Sequence, residues 1–247
     1  MDGRLSEISN SKVISLTSSE DLPYRSLLGA ILYANTCSRP DISFAVSSLG
    51  SHCSAPKQMH WNALMELLKY INDTQDVAIT YGGPPIDGSS RNQVSVFADA
   101  NFSKHIDIAK SRSGYVLFMN GGAKSWKSSL QRRIAMSTTE SELYAMYDAV
   151  EQTLWFREFL NVLGFPQEAT ICHEDNSGLI DWITNNSSAS RMKSIPAEYY
   201  RLREDASQRR CAFVHVTTDK QRADVFTKAM DYLLFNAQYR MLYNLSS

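Results

Sequence analysis

The stretch "VSVFADANFSKH", residues 94–105, sets strand-forming apolar residues directly against a carboxylate, Asp99. Val94 to Ala98 read as a strand. A carboxylate at the tip of a buried strand is either a turn cap or part of a site, and the rest of the chain decides which. Downstream, "SGYVLFMN" (113–120) predicts a second strand, and Gly121-Gly122 is a hairpin signal before "AKSWKS". A further short strand is predicted near 133–137. A long helix follows over about 139–163, with Leu143, Met146, Val150 and Leu154 as its buried stripe. Then come a strand at 169–173, helices over 177–184 and about 197–207, the strand "CAFVHV" and a helix from Arg222 onward. Antiparallel strands, a crossover helix and later strands interleaved with helices predict an α/β fold, a mixed sheet with helices on its faces.

Upstream the rhythm differs. "LPYRSLLGAILYANT" places Leu27, Leu28, Ile31 and Leu32 at helical spacing, and Pro40 forces a break before a second short helix in "DISFAVSSLGSHC". A third helix is predicted over 58–72, with Trp61, Leu64, Leu67, Leu68 and Ile71 on one side, and then a strand, "VAITY". "GGPPIDGSSRN" (82–92) is dense in Gly, Pro and Ser and reads as a linker. The predicted organisation is a flexible Ser-rich N-terminus at 1–21, a helical segment at 22–81, the linker at 82–92 and an α/β domain at 93–247.

A chain of 247 residues with 43% apolar and 21% charged residues is an ordinary globular composition. A formal net charge of −1 supplies no global attraction to nucleic acid, so such binding requires a local basic face. Four scattered cysteines without a CxxC pair read as reduced thiols of an intracellular protein. Cys53 with His52 and His60 lacks a second ligand pair, and no zinc site is expected there. The polar N-terminus has no apolar signal region, and no apolar run approaches the length of a membrane span.

Several carboxylates stand at element boundaries: Asp99 after a strand, Glu140 and Glu142 at a helix start, Asp175 between strand and helix, and Asp224 near a predicted helix start. Singly, each has a structural reading. Glu140 fits a capping box with Ser137, Asp175 could cap the next helix, and Asp224 favours a first helical turn. Together they say more, because strand ends and helix starts converge at one edge of an α/β sheet. Gathered carboxylates repel unless cations lie between them, and hard oxygen donors suit Mg²⁺ or Mn²⁺. Two such ions about 3.5–4 Å apart clamp the oxygens of a phosphodiester cleavage.

The ordered strings "VFADANFS", "SRSGYVLFMN", "STTESELYAM", "CHEDNSGLI" and "QRADVFTKAM" resemble the ribonuclease H domain of copia-type retrotransposon Pol polyproteins. The patterns there are D-A-D-W, R-S-T-S-G-Y, S-S-T-E-A-E-Y, C-D-N-x-S-A and Q-x-A-D-x-x-T-K. Upstream, "YRSLLGAILY", "RPDI" and "HW" are similar to the thumb and connection segment of the same polyproteins. The resemblance implies a ribonuclease H-like five-stranded mixed sheet preceded by a small helical thumb/connection segment. It implies Asp99, Glu142, Asp175 and Asp224 as catalytic metal ligands for two Mg²⁺ ions, with Mn²⁺ as a substitute, and Glu140 as a supporting residue. Asn101 and Phe102 replace the second Asp and the Trp of D-A-D-W. The family's T-K-H-I-D string appears as "MKSIP", with Ser194 for its His and Pro196 for its Asp, which would lower activity rather than abolish it. His173 and Glu174 stand where the family has small or apolar residues.

The substrate so implied is an RNA–DNA hybrid, read by backbone shape and the 2′-OH. Lys104, Arg112, Lys127, Arg132 and Arg133 are the candidate phosphate contacts, while Trp126 and Tyr115 read as core. No Y-x-D-D string is present, so the chain is not expected to polymerise by itself. A thumb-like start after Met1 points to a truncated element, a domesticated fragment or one piece of a split product, with a reverse transcriptase polymerase subunit or another complex as partner. The expected location is intracellular, in a cytoplasmic virus-like particle or the nucleus, without a membrane. The competing expectation is a non-catalytic scaffold that docks a partner through Trp61, Leu64 and Leu68.

Overall fold

The computed structural model describes residues 23–83, 90–102, 110–185 and 195–245. The N-terminus at 1–21, most of the 82–92 linker, Lys104 and Ser194 lie outside the described residues.

Strand β1 (Val94–Asn101) lies at the centre of the sheet. It pairs antiparallel with β2 (Arg112–Met119), from Val94 opposite Met119 to Asn101 opposite Arg112. Asn120 and Gly121, both at positive φ (52° and 86°), turn the chain into β3 (Gly122–Leu130), antiparallel to β2. This is the hairpin that Gly121-Gly122 predicts, since a left-handed turn residue without a Cβ carries no steric penalty. Strands β4 (Thr170–Glu174) and β5 (Cys211–His215) continue the sheet on the other side of β1, each in parallel pairing, giving the order β3-β2-β1-β4-β5. The result is a five-stranded mixed sheet, as the resemblance implies.

Both faces of β1 are covered. Val94, Val96 and Ala98 pack under helix α4 (Thr138–Val162), against Leu143, Met146, Ala149 and Val150. Phe97 faces the opposite side, with Val116, Phe118, Phe226 and Tyr243. This period-2 division is why the strand reads as a nearly continuous apolar run. Helices α5 (Ser177–Thr184) and α6 (Arg201–Ser207) add Leu179, Trp182 and Leu202 to the α4 side.

Three expectations are corrected. Residues 77–81 form no strand: Thr80 N–H donates to Tyr243 O (3.1 Å) and Gly82 N–H to Asn120 O (3.0 Å), so the segment is tied to the chain end and the hairpin turn. Residues 133–137 also form no strand, because this stretch turns the chain from β3 into α4, leaving Ile134 and Met136 exposed. Arg222 does not open a helix. Asp224–Phe226 is a single 3-10 turn, and the last helix, α7 (Tyr232–Leu242), begins after Asp231, whose side chain caps Leu234 N–H at 3.0 Å.

The helical segment builds its own core from α1 (Tyr24–Cys37), α2 (Ser43–Gly50) and α3 (Gln58–Asp73), around Leu28, Ile31, Ile42, Val46 and Leu64. Leu64 is fully buried, with Trp61 and Leu68 packed beside it, so the face considered for partner docking is largely turned into this core. Leu32, one of the apolar residues at helical spacing on α1, is half exposed. The segment is fastened to the sheet through Asp41. Its carboxylate accepts from Arg39 Nε (3.0 Å) and Nη2 (2.8 Å), Tyr70 Oη (2.7 Å) and Tyr243 Oη, and Trp126 Nε1 donates to Asn35 O (3.0 Å). The string "RPDI" is therefore a joint between helices and sheet. Among the described residues no helix is long and apolar enough to cross a membrane.

Removing one partner of a buried, hydrogen-bonded ion pair leaves the other charge uncompensated. Asp41→Ala is expected to lower stability by about 3–5 kcal/mol in urea denaturation. Tyr243→Phe, which removes one donor to the charged carboxylate, is expected to cost about 1.5–3 kcal/mol.

Candidate functional site

Near the end of β1, Asp99 is paired across the ladder with Gly114. The turn at Asp224–Phe226 and the following Thr227 press onto that pair. A Cβ at Gly114 would lie 2.6 Å from Phe226 Cβ and 2.8 Å from Thr227 Cγ2, so only glycine permits the approach. The Thr227 hydroxyl, which has one proton to give, donates to Asp99 Oδ2 and lies 3.1 Å from Asp224 O, which holds the carboxylate in place. Asn101, standing for the second acid of D-A-D-W, bonds Thr227 O through Nδ2 (3.4 Å) and secures the same turn.

The start of α4 separates its two glutamates by role. Ser137 caps the helix by accepting from Glu140 N–H (3.1 Å), and Glu140 reaches back to Met136 N–H (2.8 Å). Glu140 is thus spent on capping. Glu142, farther along, is buried against the sheet edge. Asn176, not Asp175, caps α5 by accepting from Leu179 N–H (3.2 Å), which leaves Asp175 to accept from Thr218 Oγ1 (3.1 Å).

Asp99, Glu142 and Asp175 each offer a carboxylate oxygen, and these oxygens all lie within 4.8 Å of one another. Asp224, the fourth expected member, stands outside this trio, with its Oδ2 2.8 Å from Lys228 Nζ. Burial, against the Thr227 bond and together with Asp224 and Asp175, pushes the Asp99 carboxyl up to about 7. Burial also raises Glu142 well above the usual carboxylate range, with Glu174, Asp99 and Asp175 adding to the effect. Glu142 Oε2 and Asp224 Oδ1 are buried without a hydrogen-bond partner. Converging hard oxygen donors, one of them buried and unpartnered, fit a divalent cation with oxygen ligands.

Sequence reasoning missed three contributors. Gly114 and Thr227 sit inside recognised strings, but their contact crosses 113 positions and only folding reveals it. Glu174 carried a usable signal. It lies two residues beyond Cys172, so strand alternation turns it to the same face as Cys172, which packs under α4. His173 has the opposite parity and stacks on Phe97 at 4.1 Å between ring centroids.

The basic candidates divide. Arg112 bonds Ser128 Oγ (3.3 Å) and Ser47 Oγ, with its guanidinium 5.3 Å from the Phe44 ring, so it faces α2. Lys127, Arg132 and Arg133 line a cleft of about 590 Å³ with Gln131, Tyr144 and Tyr147. Lys127 pairs with Asp148 (2.8 Å) and Arg133 with Glu198 (3.3 Å), all half exposed. Gln131 Nε2 bonds Ser113 Oγ and Ser141 O, both at 2.8 Å, and these residues adjoin Gly114 and Glu142. Ser113 lines the cleft, and none of Asp99, Glu142 and Asp175 does.

No family model matches the chain. It is 32% identical over 211 residues to the retrovirus-related Pol polyprotein of transposon TNT 1-94 from Nicotiana tabacum, an alignment covering 85% of this chain and 15% of that protein. The chain thus spans only a small part of that curated relative. It is also 36% identical over 136 residues to secreted RxLR effector protein 161 of Plasmopara viticola, covering 55% of this chain and 92% of that protein. Among solved structures, the ribonuclease H1 of the archaeon Halobacterium salinarum aligns with a TM-score of 0.40 and 16% identity, covering 55% of this chain and 94% of that one.

Two predictions follow from this geometry. Asp99 has a raised pKa in the fold, so its stabilising contribution is complete below about pH 4, the unfolded value, and is lost as pH rises through about 7. In chelator, Asp99→Asn should gain stability relative to the parent across that window, by up to about 1.4 kcal/mol per pH unit in denaturant melts. A difference that stays flat with pH would contradict a buried charge at this position. Gly114→Ala should lower stability by about 1–3 kcal/mol through overpacking, measured by thermal melts.

Proposed function

From the premise that the chain belongs to the Pol polyproteins of copia-type transposons, we propose that it is a divalent-cation-dependent nuclease hydrolysing the RNA strand of RNA–DNA hybrids. The observation that carries this reading is the trio of carboxylate oxygens within 4.8 Å at the sheet edge. Asp99, Glu142 and Asp175 are the residues that would hold the cations, Mg²⁺ or Mn²⁺, with Asp224 alongside. A bound ion pair supplies an activated water at neutral pH and neutralises charge developing on the phosphate.

The remaining work falls to the chain itself. Thr227 fixes Asp99, and Thr218 orients Asp175, so neither carboxylate has to reorganise when substrate arrives. Lys228 stands 2.8 Å from Asp224 and offsets part of the local negative charge. Lys127, Arg132 and Arg133 in the adjoining cleft are proposed to hold backbone phosphates, with the 2′-OH read by groove shape. Gripping phosphates requires Lys127 and Arg133 to leave Asp148 and Glu198, and exposed pairs of this kind are weak enough to exchange.

We read the chain as a thumb/connection-like helical segment over 22–81 fastened to a nuclease unit over 93–247. A polymerase segment such as the remainder of a Pol polyprotein is the partner this arrangement suits, inside the cell. A second reading, a non-catalytic binding module, has one observation in its favour. The relative from Plasmopara viticola, of which the chain covers 92%, bears the name of a secreted effector.

One assay separates the two readings: incubation of end-labelled RNA–DNA hybrid with the protein in Mg²⁺ or Mn²⁺. The nuclease reading expects cleavage confined to the RNA strand. Asp99→Asn and Asp175→Asn should each lower the rate by at least about 100-fold, since even outer-shell losses at metal sites reach that size. A folded parent that cuts with neither ion would favour the binding module.

A further inference from the structure

Helix α4 carries apolar residues on two sides. One side packs on the sheet through Leu143, Met146 and Val150, while the outer side of its last turns exposes Trp155 (63%), Phe159 and Val162 (77%). These three recur at i, i+4 and i+7, the spacing of a single stripe. Leu163 and Phe165 carry exposed apolar surface into the turn that ends the helix. The Trp155 and Phe159 rings stack with centroids 6.0 Å apart and planes within 4°, so the stripe is ordered before anything meets it. An apolar stripe left open to water marks an interaction surface. Its rim is acidic. Glu151 stands one turn before Trp155, and Glu158 lies beside both Trp155 and Val162, each glutamate exposed. Glu151 pairs with Arg201 (2.8 Å), whereas Glu158 forms no ion pair among the described residues. Arg157, the one base within α4, donates to Gln167 O (3.1 Å), Glu168 O and Thr170 Oγ1 (2.7 Å), so its charge is directed to the chain leading into β4.

We propose that this face docks an amphipathic helix of a partner protein, apolar along one side and flanked by Lys or Arg. The charges select the occupant. Exposed aromatics can stack bases, but Glu151 and Glu158 repel phosphates, so neither nucleic acid nor an anionic membrane suits the stripe. A second copy of this chain would set the same acids against each other, because a twofold interface pairs a patch with itself. A helix with apolar residues at matching spacing covers the stripe, and basic flanks neutralise its rim. Glu142 lies near the opposite end of α4, about 30 Å from Val162 at the helical rise. A partner held on the stripe therefore leaves the carboxylates open, and the docking face does not depend on the cation site.

The test uses the full chain in EDTA and two fluorescently labelled synthetic helices that share one Leu stripe, the first flanked by Lys and the second by Glu. Binding is read by anisotropy and folding by circular dichroism. At low salt the parent should bind the Lys-flanked helix, and the Glu-flanked one at least about tenfold more weakly. Trp155→Ser and Phe159→Ser remove exposed side chains, so both should keep the parent spectrum. They should lose roughly thirtyfold and tenfold in affinity for the Lys-flanked helix. Glu158→Lys should shift the two affinities in opposite directions, each by about two- to fivefold. Binding of neither helix, equal binding of both, or binding that Trp155→Ser leaves intact would overturn the proposal. A dimer in sedimentation that Trp155→Ser dissolves would give the stripe to a second copy instead. Single-stranded RNA held more tightly than the Lys-flanked helix, and released by Trp155→Ser, would give it to nucleic acid.

Discussion

Asp99 sits near the end of the central strand with almost no access to water, and its surroundings are arranged around the cost of that burial. Gly114 lacks a side chain so that the Asp224–Phe226 turn can close over the strand end. Thr227 turns its hydroxyl inward and Asn101 pins the turn from the other side. Lys228 is brought to Asp224 by the same piece of chain. Five residues from three segments thus serve one carboxylate. A buried charge supported from so many directions is expensive as scaffolding and useful as a ligand, because its position no longer depends on what binds.

The fold was legible because its signals are local. Val94, Val96 and Phe97 form a strand by composition, Asn120-Gly121 turn the hairpin by backbone preference, and Ser137 with Glu140 starts a long helix by capping. The misreadings share a cause. The 77–81 stretch and the Ile134–Met136 alternation have the composition of strands, but strand identity depends on a neighbour offering its backbone. In the first, Thr80 N–H goes to Tyr243 O, and in the second, Met136 N–H goes to the Glu140 side chain. Asp224 reads as a helix start for a similar reason, since the bond from Thr227 to Asp99 that shapes its turn is made only in the fold.

The site was legible in its acids and illegible in its supports. Asp99, Glu142 and Asp175 stand at element ends, where convergence follows from α/β geometry, and the structure brings their oxygens together. Spacing alone does not separate Glu140 from Glu142; the resemblance favours Glu142, and the bond from Met136 N–H to Glu140 agrees with it. Arg112 has neighbours that its sequence string does not show. A basic residue in a recognised string reads as a phosphate contact, yet its guanidinium is used against Phe44 and Ser47, where the helical segment meets the sheet.

The joint at Asp41 has a consequence for the order in which the molecule can be assembled. Its carboxylate meets Arg39 two positions away, Tyr70 at a separation of 29 and Tyr243 at a separation of 202. Contacts so distant along the chain close late, since the loop between them must be ordered before they return any free energy. During synthesis Asp41 leaves the ribosome long before Tyr243 exists. The three N-terminal helices, with their own apolar core, can condense while the sheet is still being made. Until the last turn of α7 arrives, the buried face of Asp41 stays open to water, and this is the stage at which a nascent chain is most exposed to misassembly.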